Sequence, residues 1–166
     1  MRCYVLMGVS GCGKSSVGTA LSVTCGMEFI DGDDLHPREN ILKMSAGQPL
    51  DDEDRAPWLG IVGDVLAETE GPVVIGCSAL KKSYRDQIRR HVPEPVRFLH
   101  LDAPKDVLVK RVSGRQGHFM PTSLLDSQFA ALERLGPDEL GAEIDIAAQY
   151  DRVVAQSESY VRETLV

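Results

Sequence analysis

Residues 8–15 read GVSGCGKS, a glycine-rich stretch closed by a lysine and a serine. The spacing is that of G-x-x-x-x-G-K-[ST], a loop that cradles nucleotide phosphates. Each residue type has a physical reason to be there. Gly8, Gly11 and Gly13 allow backbone turns closed to residues that carry a Cβ. The intervening amides of Val9, Ser10 and Cys12 can then turn inward as an anion nest. The N-terminus of a following helix, through Ser15 and Ser16, reinforces it. Lys14 brings a mobile point charge to the β- and γ-phosphates, and the Ser15 hydroxyl is suited to Mg²⁺.

A second group with chemical potential is FIDGDDLHP, residues 29–37, in which Asp31, Asp33 and Asp34 surround one glycine. In an extended strand Asp31 and Asp33 share a face by period-two spacing, and Asp34 points elsewhere. Asp33 is assigned to an acceptor hydroxyl, as its base or orienting group. Asp31 is assigned to a metal through water, and Asp34 to a helix start or the surface.

Basic residues form a third group. KRVSGRQGHFMP, residues 110–121, has the arginine and glycine content of a lid that excludes water from a transferring phosphoryl group. Arg115 is the first candidate to reach that group and Arg111 the second. CSALKKSYRD supplies Lys81, Lys82 and Arg85, and DDEDRAPWL supplies Arg55, as candidates to hold an anionic acceptor. His118 completes the substrate-facing set. Trp58, the single tryptophan, reads as core or pocket wall.

These residues act together only if the chain brings them to one edge. Short apolar runs at 3–7, 28–30, 72–77, 96–101 and 143–146 read as strands. Helical patterns lie at 14–24, 36–46, 54–69, 80–91, 104–113, 122–134 and 152–164. Continuous β-branched runs suit parallel strands covered on both faces. The alternation predicts a doubly wound α/β sheet. Ligands then sit at the carboxyl ends of the strands. The second strand's carboxyl end, with its aspartates, is expected beside the phosphate loop.

At 166 residues the chain suits a single domain over 1–166, with a lid at approximately 111–121 and substrate-binding helices at approximately 36–69. A net charge of −7 argues against nucleic-acid binding. No apolar run approaches the length of a membrane span. Cys3, Cys12, Cys25 and Cys77 form no C-x-x-C pair, so reduced thiols and a cytoplasmic setting are expected. No Asn/Thr-Lys-x-Asp segment is present to read guanine. The candidates are a kinase or a nucleotide-gated binding module.

Four segments, in order, resemble the bacterial-type gluconate kinases, which are similar in fold to shikimate kinases. They are YVLMGVSGCGKSSVG, DGDDLHPRENILKMSAGQPLDDEDRAPWL, CSALKKSYRD and GHFMPTSLLDSQFAALE. The resemblance implies a P-loop kinase fold with a five-stranded parallel sheet and a lid. It implies ATP and Mg²⁺, D-gluconate as acceptor, 6-phosphogluconate as product, and a homodimer. It also implies that the loop after the last strand, near Ala147–Tyr150, packs on adenine. Another small-molecule kinase, such as one for shikimate, and a non-catalytic nucleotide-binding regulator remain as alternatives.

Overall fold

Alternate residues of CYVLM face opposite ways along a strand, and here both ways are buried. Tyr4 and Leu6 enter one core with Val17, Leu21, Leu99, Ile144 and Val161. Cys3, Val5 and Met7 enter the other with Trp58, Leu59, Val62, Ile88 and Phe98. A strand buried on both faces belongs at the centre of a sheet with helices on either side.

The computed structural model describes residues 2–113 and 122–165. Its strands are β1 (Cys3–Met7), β2 (Glu28–Asp31), β3 (Val73–Gly76), β4 (Val96–Asp102) and β5 (Gly141–Asp145). They pair in parallel in the order β2-β3-β1-β4-β5. The helices are α1 (Lys14–Cys25), α2 (Arg38–Ser45), α3 (Asp52–Glu68), α4 (Lys82–Arg90), α5 (Lys105–Ser113), α6 (Thr122–Ala131) and α7 (Tyr150–Thr164). α1 and α7 cover the face that holds Tyr4, and α3 and α4 cover the face that holds Val5. Among the described residues no helix is long and apolar enough to cross a membrane.

Every expected strand and helix forms, but several ends move for physical reasons. α3 starts at Asp52 rather than 54 because Asp51 caps it. The Asp51 carboxylate accepts from the Asp54 amide at 2.8 Å, and the Asp54 carboxylate accepts from the Asp51 amide at 3.0 Å. α6 stops at Ala131 rather than 134. The Glu133 amide, which would continue the helix, donates instead to the Leu80 carbonyl at 2.7 Å. Residues expected in the first turn of α4 form a loop. Ala79 adopts φ +45° there, strained for a residue with a side chain.

The sheet order corrects one expectation. β3 lies between β2 and β1, so the end of β2 is one strand removed from the phosphate loop. Gly76 fills the gap, opposite Asp31 on one side and Leu6 on the other.

Candidate active site

Gly11 and Gly13 hold φ at +82° and +98° in the loop after β1, backbone that residues with side chains rarely adopt. α1 begins at Lys14 with no side-chain cap, which leaves its first amides for an anion. The Lys14 ammonium folds over the loop and donates to the carbonyls of Gly8 at 3.0 Å and Val9 at 3.3 Å. Cys12 is buried in the loop, and Ser15 and Ser16 are exposed at the start of α1.

The acidic stretch is a turn rather than a strand extension. Residues Gly32–Leu35 form one turn of 3-10 helix, and the Asp31 carboxylate accepts from the Asp33 amide at 3.0 Å. Asp31 and Asp33 are therefore related by an end cap, not by a shared strand face. The turn is pressed against β3. A Cβ at Gly32 would lie 2.3 Å from the Gly76 carbonyl oxygen. From α3, the Trp58 indole donates to the Gly32 carbonyl at 2.8 Å. His36 stacks on Trp58 with ring centres 4.1 Å apart. Asn40 bonds His36 Nδ1 at 3.2 Å and the Asp54 carbonyl at 3.0 Å. Asp34 is exposed, like a surface carboxylate.

Desolvation and the Asp31 carboxylate raise the Asp33 pKa from its ordinary value, and Lys14 and His36 oppose the shift. Lys14 thus lies close enough to act on Asp33, and it also stands beside β3, where a Cβ at Gly76 would come within 3.6 Å of the Lys14 Cβ. Desolvation lowers the His36 pKa, with Asp33 opposing and Arg55 reinforcing.

The basic candidates separate into different roles. Arg55 and Lys81 line a cavity of about 670 Å³, with Asp52, Ser78, Tyr84 and Gln128 also in its wall. The Arg55 guanidinium carbon and the Lys81 ammonium lie 5.6 and 5.5 Å from the centre of the Tyr84 ring. Asp52 stands among them, 3.8 Å from Arg55 and 3.5 Å from Lys81, and accepts from the Tyr84 hydroxyl. The Tyr84 hydrogen bond and the Lys81 charge hold the Asp52 pKa below its ordinary range. Arg55 and Trp58 lie one turn apart on α3, so that helix links this cavity to the acidic turn.

Lys82 faces a neighbouring surface and pairs with Asp86 at 3.2 Å and Asp138 at 3.8 Å. Arg85 departs from its expected place at an anionic acceptor. Its side chain is fully buried and bound to Glu139, and it donates to the carbonyls of Ala79 at 2.8 Å and Leu80 at 3.3 Å. It fastens the strained loop behind the cavity and has no free face for a ligand.

A second cavity, of about 310 Å³, lies between the phosphate loop and the start of α7. Gly11, Gly13, Arg111, Ile146, Tyr150 and Val153 line it. Arg111 donates to the Ile146 carbonyl, and the Tyr150 hydroxyl donates to the Ser16 carbonyl at 3.1 Å. Arg111 thus belongs to the wall of this cavity. Most of the expected lid, including Arg115 and His118, lies outside the described residues.

Among the further residues of the larger cavity, Asp52, Tyr84 and Gln128 are not marked for chemistry by local sequence. Asp52 and Tyr84 sit beside singled-out residues, in the runs DDEDR and KKSYRD. Gln128 lies in SQFAALE, where no local pattern of residue types points to chemistry.

The profile of the shikimate kinase family matches residues 10–140. A gluconokinase from Gluconobacter oxydans is 50% identical over 141 residues, which span 83% of this chain and 79% of that protein. The chain belongs to the gluconokinase family. A thermoresistant gluconokinase from Escherichia coli is 44% identical over 158 residues, covering 93% of this chain and 90% of that one. The crystal structure of a gluconokinase from Sinorhizobium meliloti superposes with a TM-score of 0.89 at 46% identity. It covers 98% of this chain and 92% of its own. The gluconokinase likeness thus spans the phosphate loop, the acidic turn and both cavities, and the fold is that of the P-loop kinases.

Proposed function

We propose that the protein transfers the γ-phosphoryl group of ATP to the 6-hydroxyl of D-gluconate, giving 6-phospho-D-gluconate and ADP. The carrying observation is the pair of cations, Arg55 and Lys81, bracketing Tyr84 in a cavity joined through α3 to the acidic turn. Two cations suit a carboxylate, and the rest of the cavity suits a hydroxylated chain.

The phosphate loop and Lys14 hold the donor, and the smaller cavity, with Arg111 and Tyr150, takes its adenine. Asp33 orients the acceptor hydroxyl and accepts its proton. A raised pKa makes it a stronger base than an ordinary aspartate once ionised. The hydroxyl oxygen bonds to the γ-phosphorus while the bond to the β-phosphate bridging oxygen breaks. Lys14, with Arg115 from the lid, stabilises charge on the transferring group. His118 joins the acceptor contacts. The roles of Arg115 and His118 rest on family likeness.

The residues present suit Mg²⁺. Ser15 is an exposed hydroxyl at the start of α1, and Asp31 ends β2 with one oxygen committed to the turn. Few protein oxygens are needed by an ion that keeps waters and takes phosphate oxygens. Ser15, and Asp31 through water, would hold it, and when bound it neutralises charge on the β- and γ-phosphates. The cytoplasmic setting is supported by four unpaired cysteines, and the homodimer by family likeness.

A coupled assay of ADP release over gluconate, shikimate, other sugar acids and neutral polyols tests the reading. Gluconate-dependent release is expected. Release with shikimate but not gluconate would reassign the acceptor. No release with any acceptor would favour a nucleotide-binding regulator.

A further inference from the structure

We infer that Gln128 is a positioning residue that holds the acceptor cavity in register with the phosphate loop. The inference rests on the phosphoryl-transfer reading above. Gln128 lies on α6 and lines the larger cavity. Its carboxamide bonds Ser10 twice. Oε1 accepts from the Ser10 amide at 2.6 Å, and Nε2 donates to the Ser10 hydroxyl at 2.8 Å. Among the described residues it is the one side chain that both lines this cavity and hydrogen-bonds the phosphate loop.

A second contact fixes the other end of the same segment. The Glu133 carboxylate accepts from the Lys82 amide at 2.9 Å, and the Glu133 amide donates to the Leu80 carbonyl at 2.7 Å. The circuit closes where the Gly8 amide donates to the Ser78 carbonyl at 3.1 Å. The phosphate loop, the loop after β3, and the segment from α6 to Glu133 are thus joined in a closed circuit of hydrogen bonds. Ser78, Leu80 and Lys81 stand in the wall between those bonds.

Transfer requires the attacking oxygen to be held against the phosphorus, and small misplacements cost large factors in rate. Donor and acceptor here are bound by different elements. Gln128 sets the distance between those elements without touching the reacting atoms.

Gln128→Met keeps the length of the side chain and removes both bonds. It is expected to lower kcat by about 10- to 100-fold at saturating acceptor. Nucleotide Kd, measured without acceptor, is expected to stay within about threefold, because Lys14 and the uncapped first amides of α1 are untouched. Ser10→Ala removes half the clasp from the other side and leaves α6 intact. It is expected to lower kcat several-fold alone and to add nothing in the double variant. Ser10→Ala alone carries the test if Gln128→Met fails to fold. Wild-type kcat in either single variant, additive losses, or a kcat loss matched by an equal loss of nucleotide affinity would overturn the inference. A wild-type protein without acceptor-dependent ADP release would overturn the functional reading and this inference with it. An active wild type with an indifferent Gln128→Met would overturn this inference alone.

Discussion

The Arg85 guanidinium grips the Glu139 carboxylate with two hydrogen bonds, at 2.7 and 3.0 Å, where the two side chains are 0% and 2% exposed. Arg89 adds a third, at 2.6 Å. Burial alone would raise the Glu139 pKa. Arg85, the Gly136 amide and Arg89 outweigh it and hold the value at about 2.

Arg85→Met should therefore act on stability rather than on acceptor binding. Removing one partner of a buried ion pair costs about 3–5 kcal/mol. Denaturant unfolding is the check. Unchanged stability with a raised acceptor KM would return Arg85 to the substrate. The pH dependence has a definite sign. A lowered carboxylate pKa contributes stability that is complete above the unfolded value and lost as pH falls toward about 2. The span from 4.5 to about 2 corresponds to about 3 kcal/mol.

Asp33→Asn should lower turnover by about 10²- to 10⁴-fold and leave ATP affinity nearly intact. Because desolvation and Asp31 raise the Asp33 pKa, the acidic limb of the kcat/KM profile should lie above that of an ordinary aspartate. Activity falls as pH drops through that limb and Asp33 takes up a proton. Asp31→Asn removes a neighbouring negative charge, so the limb should move to lower pH. A limb that stays in place assigns the titration to another group.

Lys14→Ala should damage transfer and nucleotide affinity together. Its ammonium is the loop's own positive charge, already held at the carbonyls of Gly8 and Val9. Titration with ATP and single-turnover kinetics measure the two effects. Wild-type turnover in that variant would refute the loop's role.

Arg55→Ala should raise the KM for an acid acceptor by about tenfold or more, as expected for a lost charge-assisted hydrogen bond. Lys81→Ala should act in the same direction. The diagnostic comparison is a neutral polyol of the same length, whose weaker turnover neither substitution should lower further. Equal effects on acid and polyol would mean that the cations shape the cavity without reading charge.

Much of this arrangement is legible in the sequence, and the gaps have physical reasons. CYVLM and VVIG announce buried strands, and GVSGCGKS announces its loop, because local residue types suffice. Arg85 could not be told from Lys81 by such means. Both follow the same strand, and what separates them is Glu139, more than fifty residues away. The turn at Gly32–Leu35 could not be told from a continued strand, because the cap on Asp31 depends on a tight contact with Gly76. β5 begins two residues before its apolar run because it is a half-covered edge strand with little apolar signal. The order of β2 and β3 is a long-range choice that no local pattern encodes.

The stack of His36 on Trp58 also makes the protein its own optical probe. With one tryptophan, all indole emission comes from a ring bonded to the acidic turn. A protonated imidazole against an indole face perturbs its π electrons and dims the light, whereas a neutral one leaves it bright. Desolvation holds His36 toward the neutral form, so emission should be bright at neutral pH and fall on acidification. Any ligand that changes the charge around Asp33 shifts that curve. Filling of the site can thus be read by ultraviolet fluorescence without an added label.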